Sequence, residues 1–198
     1  MEEMDIESAL DPMVMFGLWM KAAEASEPDD PTAAALATAT QDGIPSVRMV
    51  LMKGADERGF AFYTNAESQK GIELKENPRA ALCFHWKSLR RQIRITGTIS
   101  ELPAAEADRY FHSRTRLSQL AAAASQQSRV LATREALETR VKELDAAFPE
   151  EIPRPAYWKG FVLRPERIEF WKNREGRLHD RLLFTRSGEM WRKERLYP

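Results

Sequence analysis

Little in this chain is suited to covalent or metal chemistry. Of its 198 residues one is cysteine and three are histidine. Cys83 alone can close no internal disulfide, and it sits in an apolar run, Ala80 to Phe84, that reads as a buried strand. His85, His112 and His179 are far apart in sequence and fit no recognised metal-ligand spacing, so no metal site is expected. Thirty Lys and Arg offset thirty Asp and Glu, giving a formal net charge of +0. No overall field therefore recruits nucleic acid or an anionic membrane, and any anion site must be a local cluster of donors. No stretch approaches the roughly 20 apolar residues of a membrane span. The start, Met1-Glu2-Glu3-Met4-Asp5, lacks the basic and then apolar pattern of a secretory signal, which leaves the cytoplasm as the expected setting. Also missing are the Gly-x-Gly-x-x-Gly dinucleotide fingerprint, the Gly-x-x-x-x-Gly-Lys-Ser/Thr phosphate loop, the Gly-x-Ser-x-Gly nucleophile elbow and any internal repeat.

What is present is the composition of a folded protein, with 43% hydrophobic and 30% charged residues. One domain spanning residues 1–198 is expected, with residues 1–10 flexible. Apolar residues at Met15, Leu18, Trp19 and Ala22 carry helical spacing between Asp11 and Glu24. The period then changes. Ala33–Thr40 and Ser46–Lys53 read as a hairpin around Asp42-Gly43, and Phe60–Thr64 as an aromatic strand after the Asp56–Gly59 turn. A helix is expected from Glu67 to Asn77, closed by Pro78. Strands follow at Ala80–Trp86 and Gln92–Leu102, and helices at Pro103–His112, Leu117–Ala124 and Thr133–Phe148. The last third returns to strands: Gly160–Leu163, Arg167–Trp171, His179–Arg186 and Met190–Leu196. Strands and helices do not alternate regularly, which argues against a doubly wound parallel sheet. The fold class expected is mainly antiparallel β, a barrel-like sheet with surrounding helices.

Four constellations can carry chemistry. Arg48-Met49-Val50-Leu51-Met52-Lys53 is an apolar strand with a cation at each end, and five residues of separation put the two charges on opposite faces. Strand-end side chains reaching solvent would look the same. In Tyr63 to Gly71 a strand runs into a helix start. Thr64 and Glu67 fit a capping box, while the free N–H groups of the helix, with Ser68 and Lys70, would equally suit a phosphate. Tyr110 to Gln119 crowds aromatics, two guanidiniums and the hydroxyls of Ser113, Thr115 and Ser118 into a break between helices, a pattern shared by phosphate clamps and solvated turns. In Arg177-Leu178-His179-Asp180-Arg181 the two-residue period of an extended segment gathers two cations and an imidazole on one face, opposite Leu178 and Asp180. A charged outer face of a hairpin is the plain alternative.

Taken together, RMVLMK, FYTNAESQKG, HWKSLRRQIRI, YFHSR, QQSR, IEFW and RLHDR occur in the order and approximate spacing of the pyridoxamine/pyridoxine phosphate oxidase family, from about Asp11 to Pro198. The resemblance implies an FMN-binding split β-barrel acting as a homodimer with active sites at the subunit interface. It implies oxidation of pyridoxamine phosphate or pyridoxine phosphate by dioxygen to pyridoxal phosphate, with hydrogen peroxide, and ammonia from the amine, as the other products. Carried over by position, Arg48 and the backbone of Met49, Val50 and Leu51 resemble flavin-site residues. Tyr63, Thr64, Gln69 and Lys70 resemble the segment that holds the FMN phosphate and ring, and Gln92 the glutamine near the flavin. Gln127, Ser128, Trp171 and Arg181 match positions reached across the dimer interface. Lys53, Tyr110, Arg114 and Ser118 look like the substrate-phosphate clamp, and Arg177 and His179 would face the substrate ring as catalytic residues. The C-terminal strands, residues 160–198, would complete the site. The chain departs from the family pattern at Gln69, where a basic residue is common, and at Thr115–Ser118, which lacks the usual proline and aspartate. It also departs at Ala121–Ala124, which replaces a Gly-Ala-Trp-like sequence, and in its short N-terminal extension. The same barrel could instead serve as a carrier or sensor of FMN or pyridoxal phosphate, or as an FMN reductase. Lys53, Arg114, Arg177 and His179 favour the oxidase, because a barrel that only held flavin would need no second phosphate clamp.

Overall fold

The structure is a computed structural model that describes residues 10–198. The flexibility expected of residues 1–10 concerns, Leu10 apart, residues outside the described ones. Nine strands form one antiparallel sheet: β1 (Ala33–Ala39), β2 (Pro45–Leu51), β3 (Gly54–Asp56), β4 (Gly59–Asn65), β5 (Arg79–Trp86), β6 (Arg91–Glu101), β7 (Trp158–Lys172), β8 (Asp180–Ser187) and β9 (Met190–Arg195). The main path runs β2-β1-β5-β6-β7-β4-β3, and β8 and β9 branch from β7.

The branch explains the shape. The two strand segments expected at Gly160–Leu163 and Arg167–Trp171 are one strand of 15 residues. Along one edge β7 pairs with β6 from Phe161 to Lys172; along the other, residues 158–163 pair with β4 and residues 167–172 with β8. Pro165 sits at the change of partner, where its missing N–H costs no ladder bond. Opposite it the register slips between Thr96 and Gly97, and a Cβ on Gly97 would run into the Arg164 carbonyl, so only glycine permits this close approach.

The inner face of the sheet is apolar. Leu36, Leu82, Phe84, Ile93, Ile95, Ile168 and Phe170 close over Met15, Phe16, Trp19 and Met20 of α1 (Pro12–Ser26). Asp11 caps that helix by accepting from the N–H groups of Met13 and Val14. A smaller cluster joins α3 (Ala104–Ser113) and α4 (Arg116–Ala124) to the start of β7 through Phe111, Leu120, Ile152 and Trp158. Helix α5 (Arg134–Ala147) packs on α4 and buries none of its residues fully. Cys83, expected to be buried, is half-buried on the outer face, in register with Ala35 and Arg94. Among the described residues no helix is long and apolar enough to cross a membrane, and no three His, Cys, Asp or Glu side chains converge as metal ligands.

Candidate active site

Helix α2 (Gln69–Glu76) starts two residues later than the sequence predicts, and its cap differs too. Ser68 is the N-cap, accepting from the Gly71 N–H. Thr64 lies inside β4 and caps nothing; its hydroxyl accepts from Lys70 Nζ at 3.3 Å. The strand wins because Thr64 is in register with Lys159 of β7, a ladder position that a capping geometry would forfeit. Lys70 is buried, and its ammonium is also held by Ser68 Oγ at 3.2 Å and Gln127 Oε1 at 2.9 Å. All three acceptors are neutral. Burial, and secondarily the charge of Arg48, push the lysine pKa down to about 8 against the pull of Glu73. A buried ammonium beside a helix N-terminus, with no carboxylate bonded to it, is the donor set that an anion such as a phosphate completes.

Arg48 and Gln69 are brought together by Glu73, a residue that no motif in the chain singles out. Glu73 is buried, and its carboxylate accepts from Thr38, from Ser46 Oγ at 2.6 Å, from Gln69 Nε2 at 3.0 Å and from Arg48 Nη2 at 3.5 Å. Burial alone would raise its pKa, but the hydrogen bonds from Ser46, Thr38 and Gln69 and the charge of Arg48 leave it below the ordinary carboxylate value. The only hint in the sequence was a pair of hydroxyls, Thr38 and Ser46, on otherwise apolar strands. Val47, Met49 and Leu51 alternate with Arg48 and Val50 and are exposed on the outer face. Lys53 lies past the end of β2, its backbone N–H donating to Ala61.

Beside Lys70 lies a cavity of about 400 Å³ lined by Tyr63, Thr64, Asn65, Arg114, Ala121, Ala122, Gln127 and Trp158 among others. Tyr63, Tyr110 and Trp158 stack on one another, with ring centroids 4.2 Å apart for the two tyrosines and 5.4 Å for Tyr63 and Trp158. The Arg114 guanidinium lies 5.2 Å from the Trp158 ring. Its Nη1 is buried without a hydrogen-bond partner, and burial holds its pKa below the usual value. Ser118 stands in the first turn of α4 and donates its N–H to Thr115 Oγ1. Gln127 Oε1 accepts from Lys70 of its own chain.

The second group lies at the other end of β7. Gln92, Trp171 and Arg181 are register neighbours on β6, β7 and β8. The extended Arg177-to-Arg181 segment predicted from the sequence is not formed. Glu175–Arg177 is a short 3-10 turn, β8 begins only at Asp180, and Gly176 and Arg177 both have φ of 62°. That left-handed pair reverses the chain, so the two-residue period does not align Arg177 with His179. His179 instead packs on Trp171, centroids 4.5 Å apart, and its Nδ1 accepts the Arg174 N–H at 3.3 Å. Arg177 is exposed, as is Ser128, which also has a positive φ of 70°. Backbone strain at two non-glycine residues chosen for chemical reasons marks these turns as functional candidates.

Trp158 and Trp171 are separated by thirteen residues of one strand, about 40 Å of path at ~3.3 Å per residue. The cavity beside Lys70 has none of Gln92, Trp171, His179 or Arg181 in its lining. The candidate residues thus form two groups set well apart in one chain.

Two family matches cover nearly all of the chain. Residues 20–148 match the family described as pyridoxamine 5'-phosphate oxidase, and residues 158–198 match the pyridoxine 5'-phosphate oxidase C-terminal dimerisation region. The chain belongs to the pyridoxamine 5'-phosphate oxidase family. A pyridoxine/pyridoxamine 5'-phosphate oxidase of Gluconobacter oxydans is 58% identical over 194 residues, which span 98% of this chain and 97% of the relative. One of Rhizobium etli is 54% identical, over 98% and 96%. Among solved structures, PhzG of Burkholderia lata, in complex with tetrahydrophenazine-1-carboxylic acid, aligns with a TM-score of 0.93 and 34% identity over 100% of this chain and 98% of its own. A pyridoxamine 5'-phosphate oxidase-related, FMN binding protein of Nostoc punctiforme shares the fold at 17% identity and a TM-score of 0.76, over 96% and 100%. The second match, to a C-terminal dimerisation region, covers Trp171, His179 and Arg181.

Proposed function

We propose that this chain is an FMN-dependent oxidase that converts pyridoxamine phosphate or pyridoxine phosphate to pyridoxal phosphate. With the amine, substrate, dioxygen and water give aldehyde, ammonia and hydrogen peroxide; with the alcohol, substrate and dioxygen give aldehyde and peroxide. The observation that carries the reading is a pair of cations at one cavity with no carboxylate bonded to either among the described residues: beside it the Lys70 ammonium, held only by neutral oxygens, and in its lining the Arg114 guanidinium with a buried, unbonded Nη1. Two such cations suit two phosphates, one on the flavin and one on the substrate. Relatives 52–58% identical over nearly the full chain and named for this activity support the same reading.

FMN, when bound, supplies the two-electron acceptor chemistry that no side chain here can provide. Lys70, Thr64, Ser68 and Gln127 hold its phosphate at the α2 N-terminus; Arg48, kept in place by Glu73, and the backbone of Met49 to Leu51 border the ring. Arg114, Tyr110, Ser118 and Lys53 clamp the substrate phosphate. Ser128 follows Gln127 beside the phosphate, and a second copy of the chain brings Gln92, Trp171, Arg177, His179 and Arg181 to complete the site. Because His179 Nδ1 accepts a backbone N–H, its neutral ring carries the proton on Nε2, which can donate to a substrate oxygen or nitrogen. Orientation of substrate against flavin is the main contribution of these residues, since positioning replaces several kcal/mol of activation entropy.

The test is to purify the protein, record its visible spectrum, and add either substrate in air while aldehyde and peroxide are followed together. A flavin spectrum with equal yields of both products is expected. Flavin binding without turnover of either substrate would remove the catalytic reading and leave a binding protein.

A further inference from the structure

Glu169 of β7 is nearly fully buried, although it lies on the outer face of the sheet where its neighbours are Gln92, Arg94, Trp171 and Arg181. One carboxylate oxygen accepts from Arg94; the other accepts from Arg181 Nε at 2.8 Å. Burial works to raise its pKa, but the bonds from Arg181 and Arg94 outweigh burial and keep it ionised. Arg181 also donates from Nη1 to the Tyr197 carbonyl at 2.9 Å. The guanidinium is thus held at two points on different sides, at Nε and at Nη1, while Nη2 has no partner among the described residues. A desolvated carboxylate is a poor way to hold three strands together, because an apolar side chain of similar size would do so without the desolvation penalty. A buried acid gripping the rotatable end of an arginine is, by contrast, a means of fixing a planar donor in one orientation.

We propose that Glu169 is a positioning residue that fixes the Arg181 guanidinium so that Nη2 is presented to the flavin. The inference rests on the assignment of Arg181 to the FMN site and adds the residue through which that contact is set. Arg94 shares the carboxylate and keeps it charged, and the Tyr197 carbonyl fixes the second point.

The experiment is a double-mutant cycle on FMN affinity, read by quenching of flavin fluorescence as apoprotein is titrated, for wild type, Glu169→Gln, Arg181→Ala and the double variant. Arg181→Ala is expected to weaken FMN binding by roughly tenfold or more, as loss of a charge-assisted hydrogen bond does. Glu169→Gln is expected to weaken it several-fold in the wild-type background and not at all in the Arg181→Ala background. A purely structural acid would give the same loss in both backgrounds, and that additivity overturns the proposal. So does an unchanged affinity in Glu169→Gln when Arg181→Ala binds poorly. If Arg181→Ala itself binds FMN normally, the assignment of Arg181 fails, and the role of Glu169 fails with it. Should Glu169→Gln not fold, Glu169→Asp keeps the charge but shortens the reach to Nε, and the same cycle is read with it.

Discussion

Cofactor affinity should fall with pH in a way set by Lys70. Its pKa is pushed down to about 8 in the protein alone, while a phosphate monoester is a dianion above pH ~6. A dianion placed against the ammonium favours the charged form, so the complex keeps its proton where the apoprotein has lost it. The apparent Kd then scales as one plus the ratio of neutral to charged Lys70. Between pH 7 and pH 9 that ratio grows from about one in ten to about ten, so Kd should rise about tenfold, or about 1.4 kcal/mol. At pH 8 about half a proton should be taken up per FMN bound, measurable as the dependence of the binding enthalpy on the ionisation enthalpy of the buffer. Lys70→Met should bind weakly at pH 7 and show no such slope, and riboflavin, without a phosphate, should show none with the wild type. A Kd that is flat from pH 7 to 9 in the wild type, or an equal slope in Lys70→Met, would refute the reasoning. The same group predicts the sign for the apoprotein. Because its folded pKa lies below the unfolded value of 10.5, the unfolded chain binds more protons between about pH 8 and 10.5, and this residue's contribution to stability increases over that window.

Arg114→Ala should raise KM for the phosphorylated substrate about 10- to 100-fold, the equivalent of a charge-assisted bond of ~1.5–3 kcal/mol, with a smaller change in kcat; steady-state kinetics at saturating FMN reads the split. Arg177→Gly should relieve the left-handed strain and raise the melting temperature by a few degrees, roughly 1 kcal/mol, while turnover falls. A variant that lost stability as well would show that the turn is not strained. Gly97→Ala should cost more than about 3 kcal/mol, because the new methyl group meets the Arg164 carbonyl at the bulge; chemical denaturation measures it, and a loss below 1 kcal/mol would mean that β6 and β7 can separate at little cost.

Regular elements and local chemistry were legible in the sequence because both are written in short periods and turn residues. Phe60 to Thr64, Ala80 to Trp86 and the helices after Pro103 lie within a few residues of where they were expected. The failures share a cause. Thr64 and Glu67 fit a capping box, yet strand pairing with β7 outcompeted it, and nothing local to Tyr63–Gly71 records a partner at Lys159. His179 and Arg177 looked aligned only if Gly176-Arg177 stayed extended, and a left-handed arginine is a conformation that sequence period cannot anticipate. Glu73 and Glu169 were passed over because an acid on a helix or an alternating strand reads as a solvent-facing position. Their burial depends on arginines that come from other strands.

Those two carboxylates also show how the two groups are built. At one end of β7, Glu73 holds Arg48 and Gln69, while no acid among the described residues is bonded to Lys70 or Arg114. At the other end, Glu169 holds Arg94 and Arg181. In each group the acid fixes a guanidinium inside the protein, and in the first group other cations are kept open. If every cation were paired internally, the site would have no driving force for a phosphate; if none were, several like charges would repel one another in a dry pocket. On the proposed function, a chain with formal net charge +0 binds dianions because its acids are spent on selected arginines and withheld from Lys70 and Arg114. On the same proposal, the thirteen-residue separation along β7 makes the second chain a chemical requirement, because Arg181 and His179 would serve a ligand at Lys70 and Arg114 only if a partner supplied them.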